Sequence, residues 1–268
     1  MLVALLALGA QHLAAQEHPT TSRGFHPEST FSFSDLDHVN TYNGNLVVTL
    51  PIGSRYPVGA GFSYGLTLVY NSNLWEFQDA SSGSQVMTQA IPSRHSNAGL
   101  GWRLSFGTLF PRNFPYELDP HGIYVGPDGG VHLLFPTLHV GDPADSGVSY
   151  TRDGTYLRVT ALGNGSSTVE SPDGVTQLFD ANGEMVEMRD RLGNSVSVAY
   201  SPTAWTISDS QGRTQRVWLR PVPSNPLSPG DVPPPLDAID HVDLTAWNGG
   251  TATYSFQYNP SSVTIPRQ

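Results

Sequence analysis

The sequence contains neither cysteine nor lysine, and these two absences remove whole classes of chemistry. Without cysteine the chain has no thiol nucleophile, no cysteine-ligated zinc and no iron–sulfur cluster. All 13 basic residues are arginine. A phosphate-binding loop ending in Gly-Lys-Ser/Thr, a Schiff-base lysine and a serine–lysine catalytic pair are therefore excluded.

Charge is also sparse, because only 13% of the residues are Asp, Glu, Lys or Arg. The formal net charge is -10 at pH 7, and the sequence has no run of basic residues. A nucleic-acid-binding protein needs a basic patch or stripe. We therefore expect no nucleic-acid partner and interpret the acidity as an aid to solubility.

Long hydrophobic runs are scarce, and the clearest one is the short run over residues 2–10, followed by Ala14 and Ala15. This run is too short to span a bilayer. An apolar run followed by small residues is typical of a secretory signal peptide, although the usual preceding basic residues are missing. We predict a signal peptide over residues 1–15, a secreted or cell-surface location, and no membrane span.

Turn-forming residues and short alternating segments are abundant instead. The chain has 27 glycines and 22 prolines. Apolar and polar residues alternate over 43–53 and 63–72, and a short apolar run at 129–136 lies between turn signals. Beyond the leader no window keeps the spacing of an amphipathic helix. The sequence therefore predicts an all-β fold.

Turn signals become regular from residue 150 onward. Strand-like segments at 195–200 and 214–219 alternate with turns in which an Asp precedes a Gly. The four glycines are spaced 20, 19 and 19 residues apart: Gly154, Gly174, Gly193 and Gly212. Near-equal spacing predicts a repeated hairpin unit over 150–220. The turn glycines are expected to adopt positive φ.

Two further segments follow the regular region. Seven prolines occur among residues 221–235, so we predict an exposed loop or linker over 221–236. A β-hairpin is predicted within 237–268, with its turn at Asn248-Gly249-Gly250. Its last strand, within 251–258, carries no charge. Such an edge strand is expected to pair with another chain, so the isolated chain should self-associate.

The segments 179–200 and 205–217 resemble the repeats of RHS, or YD-repeat, proteins. Those repeats combine a tyrosine-bearing strand with an Asp-x-x-Gly-Asn/Arg turn. Upstream segments are similar to the region that precedes the repeats in that family, and the likeness covers most of residues 39–258: 39–53, 65–72 and 99–107. The sequence departs from the pattern after Tyr200, where Ser-Pro-Thr-Ala-Trp lacks the usual glycine, and it lacks the family's self-cleaving C-terminal core.

The resemblance implies stacked antiparallel hairpins of a strand-spiral shell, incomplete in this chain, with residues 16–140 as the β region before the repeats. It implies a non-catalytic role in which bacteria enclose or present a C-terminal payload. The partner would be the remainder of the same polypeptide or shell. We expect no cofactor and no metal.

Ser63 lies in Gly-Phe-Ser-Tyr-Gly at 61–65, which fits the Gly-x-Ser-x-Gly pattern of a hydrolase nucleophile. That pattern needs a buried strand before the serine and a helix after it. Here Pro57 lies on the approach, and the segment after the serine has strand periodicity. We interpret Ser63 as a turn residue.

The histidines and carboxylates show no catalytic spacing. His121, His132 and His139 lack the paired short spacing of zinc ligands, so we expect hydrogen-bonded loop histidines. The segment Asp180–Glu184 superficially resembles a calcium loop, but an Asx turn explains it better.

Two pairs of acidic residues are the candidates for glycosidic chemistry. Asp35 with Asp37 and Asp142 with Asp145 could act as acid and base, which leaves a glycoside hydrolase as an alternative. Nothing in the sequence marks these residues as buried. We interpret them as loop and edge charges.

Aromatic residues carry the remaining alternative, a carbohydrate-binding or adhesive β module. Several lie in turns or beside glycine: Tyr42, Trp75, Trp102 and Trp247. Exposed aromatics on a β scaffold suit stacking on sugars. For Trp102 and Trp247 we favour packing in the core.

Overall fold

The computed structural model describes residues 31–33, 36–40, 44–82, 85–92, 96–110, 122–220 and 238–258. Within these residues all regular structure is β-strand, which confirms the predicted all-β fold. The predicted signal peptide at 1–15 and the Pro-rich loop at 221–236 lie outside the described residues.

Ten strands form the largest sheet, and their order in space follows their order in the chain. Each strand pairs antiparallel with the next. We number all strands along the whole chain, and the sheet contains β11 (Val148–Tyr150), β12 (Arg158–Ala161), β13 (Ser167–Glu170), β14 (Thr176–Phe179), β15 (Met185–Arg189), β16 (Ser195–Tyr200), β17 (Ala204–Asp209), β18 (Thr214–Arg220), β19 (Ala238–Thr245) and β20 (Thr251–Ser255). The hairpin predicted around Asn248-Gly249-Gly250 is confirmed as β19 and β20.

The predicted turn glycines lie at one end of this sheet, because each follows an odd-numbered strand of the meander. Gly154, Gly174, Gly193 and Gly212 have φ of 86°, 88°, 87° and 82°, which confirms the expected positive φ. Gly249, in the β19–β20 turn at the same end, also has positive φ.

A second sheet supplies the layer that covers part of the first. Its five strands lie in the order β1 (Phe31–Phe33), β2 (Asp37–Asn40), β3 (Leu46–Gly59), β4 (Phe62–Asn71) and β7 (Trp102–Leu104). The long β3–β4 hairpin turns at Ala60 and Gly61, both with positive φ. Two smaller sheets comprise β8 (Thr108–Phe110), β9 (Gly122–Val125) and β10 (Val131–Leu134), and the pair β5 (Trp75–Ser82) and β6 (Gln85–Pro92).

One buried apolar cluster joins the sheets. It takes side chains from the five-stranded sheet, such as Leu66 on β4, and from the three-stranded sheet, such as Tyr124 on β9. The ten-stranded sheet contributes alternate residues, including Ile207 on β17 and Val217 on β18. The residues expected to precede the repeats therefore share a core with the regular meander.

The tip of the β3–β4 hairpin is fastened to the turn between β17 and β18. Gln211 Nε2 donates to the Val58 carbonyl at 2.8 Å, and an Arg213 guanidinium nitrogen donates to the Pro57 carbonyl at 2.6 Å. The hairpin thus ends against the turn end of the ten-stranded sheet. Its backbone carbonyls accept hydrogen bonds from side chains of the β17–β18 turn.

Candidate functional site

Ser63 lies in β4, two residues after the hairpin turn, and strand structure continues on both sides of it. The interpretation as a turn residue is therefore wrong in detail, because the turn is at residues 60 and 61. Its hydroxyl accepts a hydrogen bond from Arg55 Nε at 3.2 Å. A strand-to-helix elbow of the hydrolase type is not present at this position.

The two described histidine candidates, His132 and His139, each contact a different carboxylate. His132 is in β10 and is buried, so the prediction of a loop histidine is wrong for this residue. Its Nδ1 lies 2.5 Å from Asp153 Oδ2, and its ring stacks on Tyr124 at 5.8 Å. His139 is on an exposed loop beside Asp142. His121 lies outside the described residues.

The pKa of the Asp153 carboxyl reflects the hydrogen bonds that this carboxyl accepts. Burial alone raises the pKa of the Asp153 carboxyl, but hydrogen bonds from His132 and Thr155 outweigh burial and lower this pKa to about 2. Because the carboxylate and the imidazole both sit at the junction of β10 and the ten-stranded sheet, the pair joins two parts of the fold.

The Asp180–Glu184 segment is the predicted Asx turn. Asp180 Oδ1 accepts hydrogen bonds from the backbone amides of Asn182 and Glu184, both at 2.9 Å. The same pattern recurs at Asp190 and Asp209. Within the described part of the chain, no three His, Asp or Glu side chains are placed to hold a metal ion.

The three acidic candidates that the structure describes are all exposed. Asp142 and Asp145 both lie on the exposed loop between β10 and β11. Asp37 lies in β2 and is exposed. Asp35 is outside the described residues.

The aromatic candidates divide between the core and the solvent. Trp102 is half-buried against the core, with its ring 5.2 Å from that of Tyr70. Trp75 begins β5 and is half-buried. Trp247 is fully exposed at the β19–β20 turn, so the prediction that it packs in the core is wrong. The Trp247 side chain projects from this turn into solvent. Tyr42 lies outside the described residues.

A buried polar network was missed by the sequence interpretation. Asp209 accepts hydrogen bonds from the Tyr64 hydroxyl at 3.0 Å and from Arg213 Nε at 2.7 Å. Gln215 donates to the Tyr64 oxygen and accepts from the Thr245 amide. Burial raises the pKa of Tyr64, so this hydroxyl stays a donor. The two-residue period of a strand could have predicted this burial. Asp209 lies two residues from the buried Ile207, and Gln215 lies two residues from the buried Val217, so each pair faces the core.

The outer face of the same sheet carries a ladder of stacked side chains. The Trp218 ring stacks on His241 at 5.7 Å, and the Arg216 guanidinium lies over the same indole. Trp218 Nε1 donates to Asp243 at 2.9 Å. Hydrogen bonds, first of all from Thr253, lower the pKa of the Asp243 carboxyl. These groups satisfy one another across β18, β19 and β20.

No family model matches the chain, and no curated protein matches it significantly. Among the residues described here, no helix has the length and apolar character needed to cross a bilayer. Among the described residues, the exposed Trp247 and the outer edge of β20 are surface features that packing does not explain.

Proposed function

We propose that this protein is a non-catalytic structural part of a secreted bacterial β shell of the RHS type, which encloses or presents a payload carried C-terminal to it. The observation that carries the proposal is the ten-stranded meander in strict chain order, in which two-strand units end in glycine turns at one end. Stacked units of this kind extend a sheet by repetition, because within the sheet each strand bonds only to the strands beside it. The Asp-anchored turns at Asp190 and Asp209 add the feature that the family resemblance rests on.

The buried polar groups support a structural role. The buried polar side chains form hydrogen bonds with one another, with Arg213 and with backbone amides: Tyr64, Asp209 and Gln215. Such a network fixes the β3–β4 hairpin to the meander, since a buried polar group without a partner is costly.

Duplication of one unit tests the architecture. A second copy of residues 175–193, inserted after Gly193, adds two strands and keeps every later strand in its direction. We expect a folded chain whose melting temperature stays within about 5 °C of the parent.

The matched control duplicates residues 175–184 alone, which adds one strand and reverses all strands that follow. This chain should unfold. If both duplications unfold, the meander is a fixed layer of a closed structure, and the shell proposal is wrong.

The payload part of the proposal needs its own measurement. A protease-sensitive reporter is fused after Gln268 in one chain and replaces residues 1–30 in another. Slower cleavage of the C-terminal reporter supports enclosure, and equal rates contradict it.

Glycan binding is a second candidate function, favoured by the full exposure of Trp247. An exposed indole on a rigid turn offers an aromatic face to a sugar ring at little conformational cost. Binding on a glycan array that disappears in Trp247→Ala but persists in Leu192→Ala, an exposed apolar residue of another turn, would support it. Absence of binding by the parent chain would dismiss it.

A further inference from the structure

The outer edge of β20 has unpaired backbone groups in the part of the chain that the structure describes. The Phe256 amide donates to the Asp240 carbonyl at 2.9 Å, and the Ala246 amide donates to the Gly250 carbonyl at 2.8 Å. In this antiparallel register the even-numbered residues of β20 therefore bond to β19. The amides and carbonyls of Thr251, Thr253 and Ser255 point away from the sheet.

The side chains of β20 are compatible with another strand. Ala252 and Tyr254 lie opposite the buried Leu244 and Val242, so they share the core-facing side of the sheet. Tyr254 is nevertheless 41% exposed. The absence of charge from residues 251–258 removes the usual obstacle to edge pairing.

The opposite edge of the sheet is covered. Phe135 and Tyr150 exchange two backbone hydrogen bonds of 2.8 and 2.7 Å, which occupies the outer side of β11. A head-to-tail contact between β20 of one copy and β11 of the next is therefore obstructed. Association of β20 with β20 of a second copy is self-complementary, and such contacts close at two copies.

We infer that β20 is a dimerisation edge that binds β20 of a second copy of this chain. The two-fold axis passes between the two Thr253 residues, perpendicular to the sheet. Thr251 of each copy then lies opposite Ser255 of the other, and about six backbone hydrogen bonds form. This register uses all five residues of β20 and every outward-pointing backbone group in it.

The side chains fit the same register. On the core-facing side, Ala252 of each copy lies opposite Tyr254 of the other, so a small side chain meets a large, half-exposed ring. On the outer side, Thr253 meets Thr253, a pair that stabilises antiparallel strands. One strand pair is smaller than a standard interface, so we expect a dissociation constant in the micromolar range.

The inference is tested by the mass of the 268-residue particle, whereas the shell proposal is tested by the modularity of its units. Sedimentation equilibrium of the chain should show a concentration-dependent rise from 28.9 kDa to twice that mass. Thr253→Lys should remain monomeric, since two ammonium groups would face each other across the axis. The control is Ser208→Lys, on the outer face of the interior strand β17 and opposite the uncharged Ser197 and Thr214, which should still dimerise.

Crosslinking gives a second measurement that does not need a disruptive variant. The chain has no cysteine, so Thr253→Cys introduces a single thiol. The paired Cα atoms would lie about 5.5 Å apart, within the range of a disulfide. Oxidation should yield a covalent dimer, and Thr206→Cys should not.

Several results would overturn the inference. A parent chain that stays monomeric at high micromolar concentration would do so, as would larger polydisperse particles. A Thr253→Lys variant that dimerises as well as its control would place the contact elsewhere.

Discussion

Ser63 and Tyr64 are neighbours on β4, and strand alternation places their side chains in different surroundings. The Ser63 hydroxyl accepts from Arg55 near the surface, whereas the Tyr64 hydroxyl is buried and donates to Asp209. The residue with the hydrolase-like pattern therefore sits outside the core. Its neighbour, which belongs to no motif, joins the two sheets.

Tyr64→Phe should lower the free energy of unfolding by about 1–3 kcal/mol, because Asp209 and Gln215 each lose a buried partner. Ser63→Ala should change it by less than about 0.5 kcal/mol. Urea denaturation measures both values. Covalent labelling of Ser63 by a fluorophosphonate probe would contradict the structural interpretation of this residue.

Protonation of the Asp153 carboxyl should lower the free energy of unfolding in acid. Its pKa is about 2 in the folded chain against 3.8 for the free side chain, so the folded state favours the ionised form. The resulting stabilisation is nearly complete above about pH 5 and is lost as the pH falls through 2; it amounts to about 2 kcal/mol. In Asp153→Asn, denaturation curves between pH 4 and pH 2 should lose this part of the pH dependence. An unchanged slope would show that the folded state does not stabilise the ionised Asp153 carboxylate.

At the scale of the elements, hydrogen bonds from the turn amides to Asp side chains stabilise the turns that join neighbouring strands of the meander. Asp190 and Asp209 bond the amides two and four residues ahead, and the glycine between those amides takes a left-handed conformation. A β-branched side chain is strained in that conformation.

Gly193→Val and Gly212→Val should each cost about 1–3 kcal/mol through backbone strain, since no atom crowds either position. Gly163→Val is the matched control, because this glycine also has free space and its φ is not in the left-handed region. Thermal melts of the three variants measure the difference. Equal losses would mean that the regularly spaced glycines have no special backbone role.

At the scale of the whole molecule, the sheets unfold together if they share one core. Leu66 on β4 is 2% exposed and belongs to the cluster that includes Ile207 and Val217 of the ten-stranded sheet. Leu66→Ala should therefore destabilise the protein by about 2–5 kcal/mol.

Hydrogen exchange distinguishes one cooperative unit from two. In Leu66→Ala, the amides of β17 and β18 should lose as much protection as those of β4. Leu192→Ala, at an exposed turn, is the control and should change neither region. Loss confined to β4 would indicate that the β3–β4 hairpin unfolds separately.

Much of the local structure was predictable from the sequence. The strands at 195–200 and 214–219 and the final hairpin appear where alternation and turn residues indicated them. These features depend on short-range rules, namely the two-residue period of a strand and the conformational freedom of glycine. The resemblance to RHS proteins remains a proposal.

The candidate sites were less predictable, because burial depends on distant segments. His132 reads as a polar residue in a short run, yet it is buried by Tyr124 and paired with Asp153, 21 residues away. Trp247 is a large apolar residue of a type often found in a core, yet its side chain is fully exposed at the β19–β20 turn.

The sequence by itself determined the fold class, the positions of many turns and the exclusion of lysine and cysteine chemistry. Only the tertiary structure decided that β4 packs on the meander and that Asp209 meets Tyr64, 145 residues away. It also decided that, among the described residues, the edge of β11 is covered and the edge of β20 is open. The physical reason is that backbone preferences act over a few residues. The partners of a buried side chain, and the edge left at the end of a sheet, are set by which distant strands pack together.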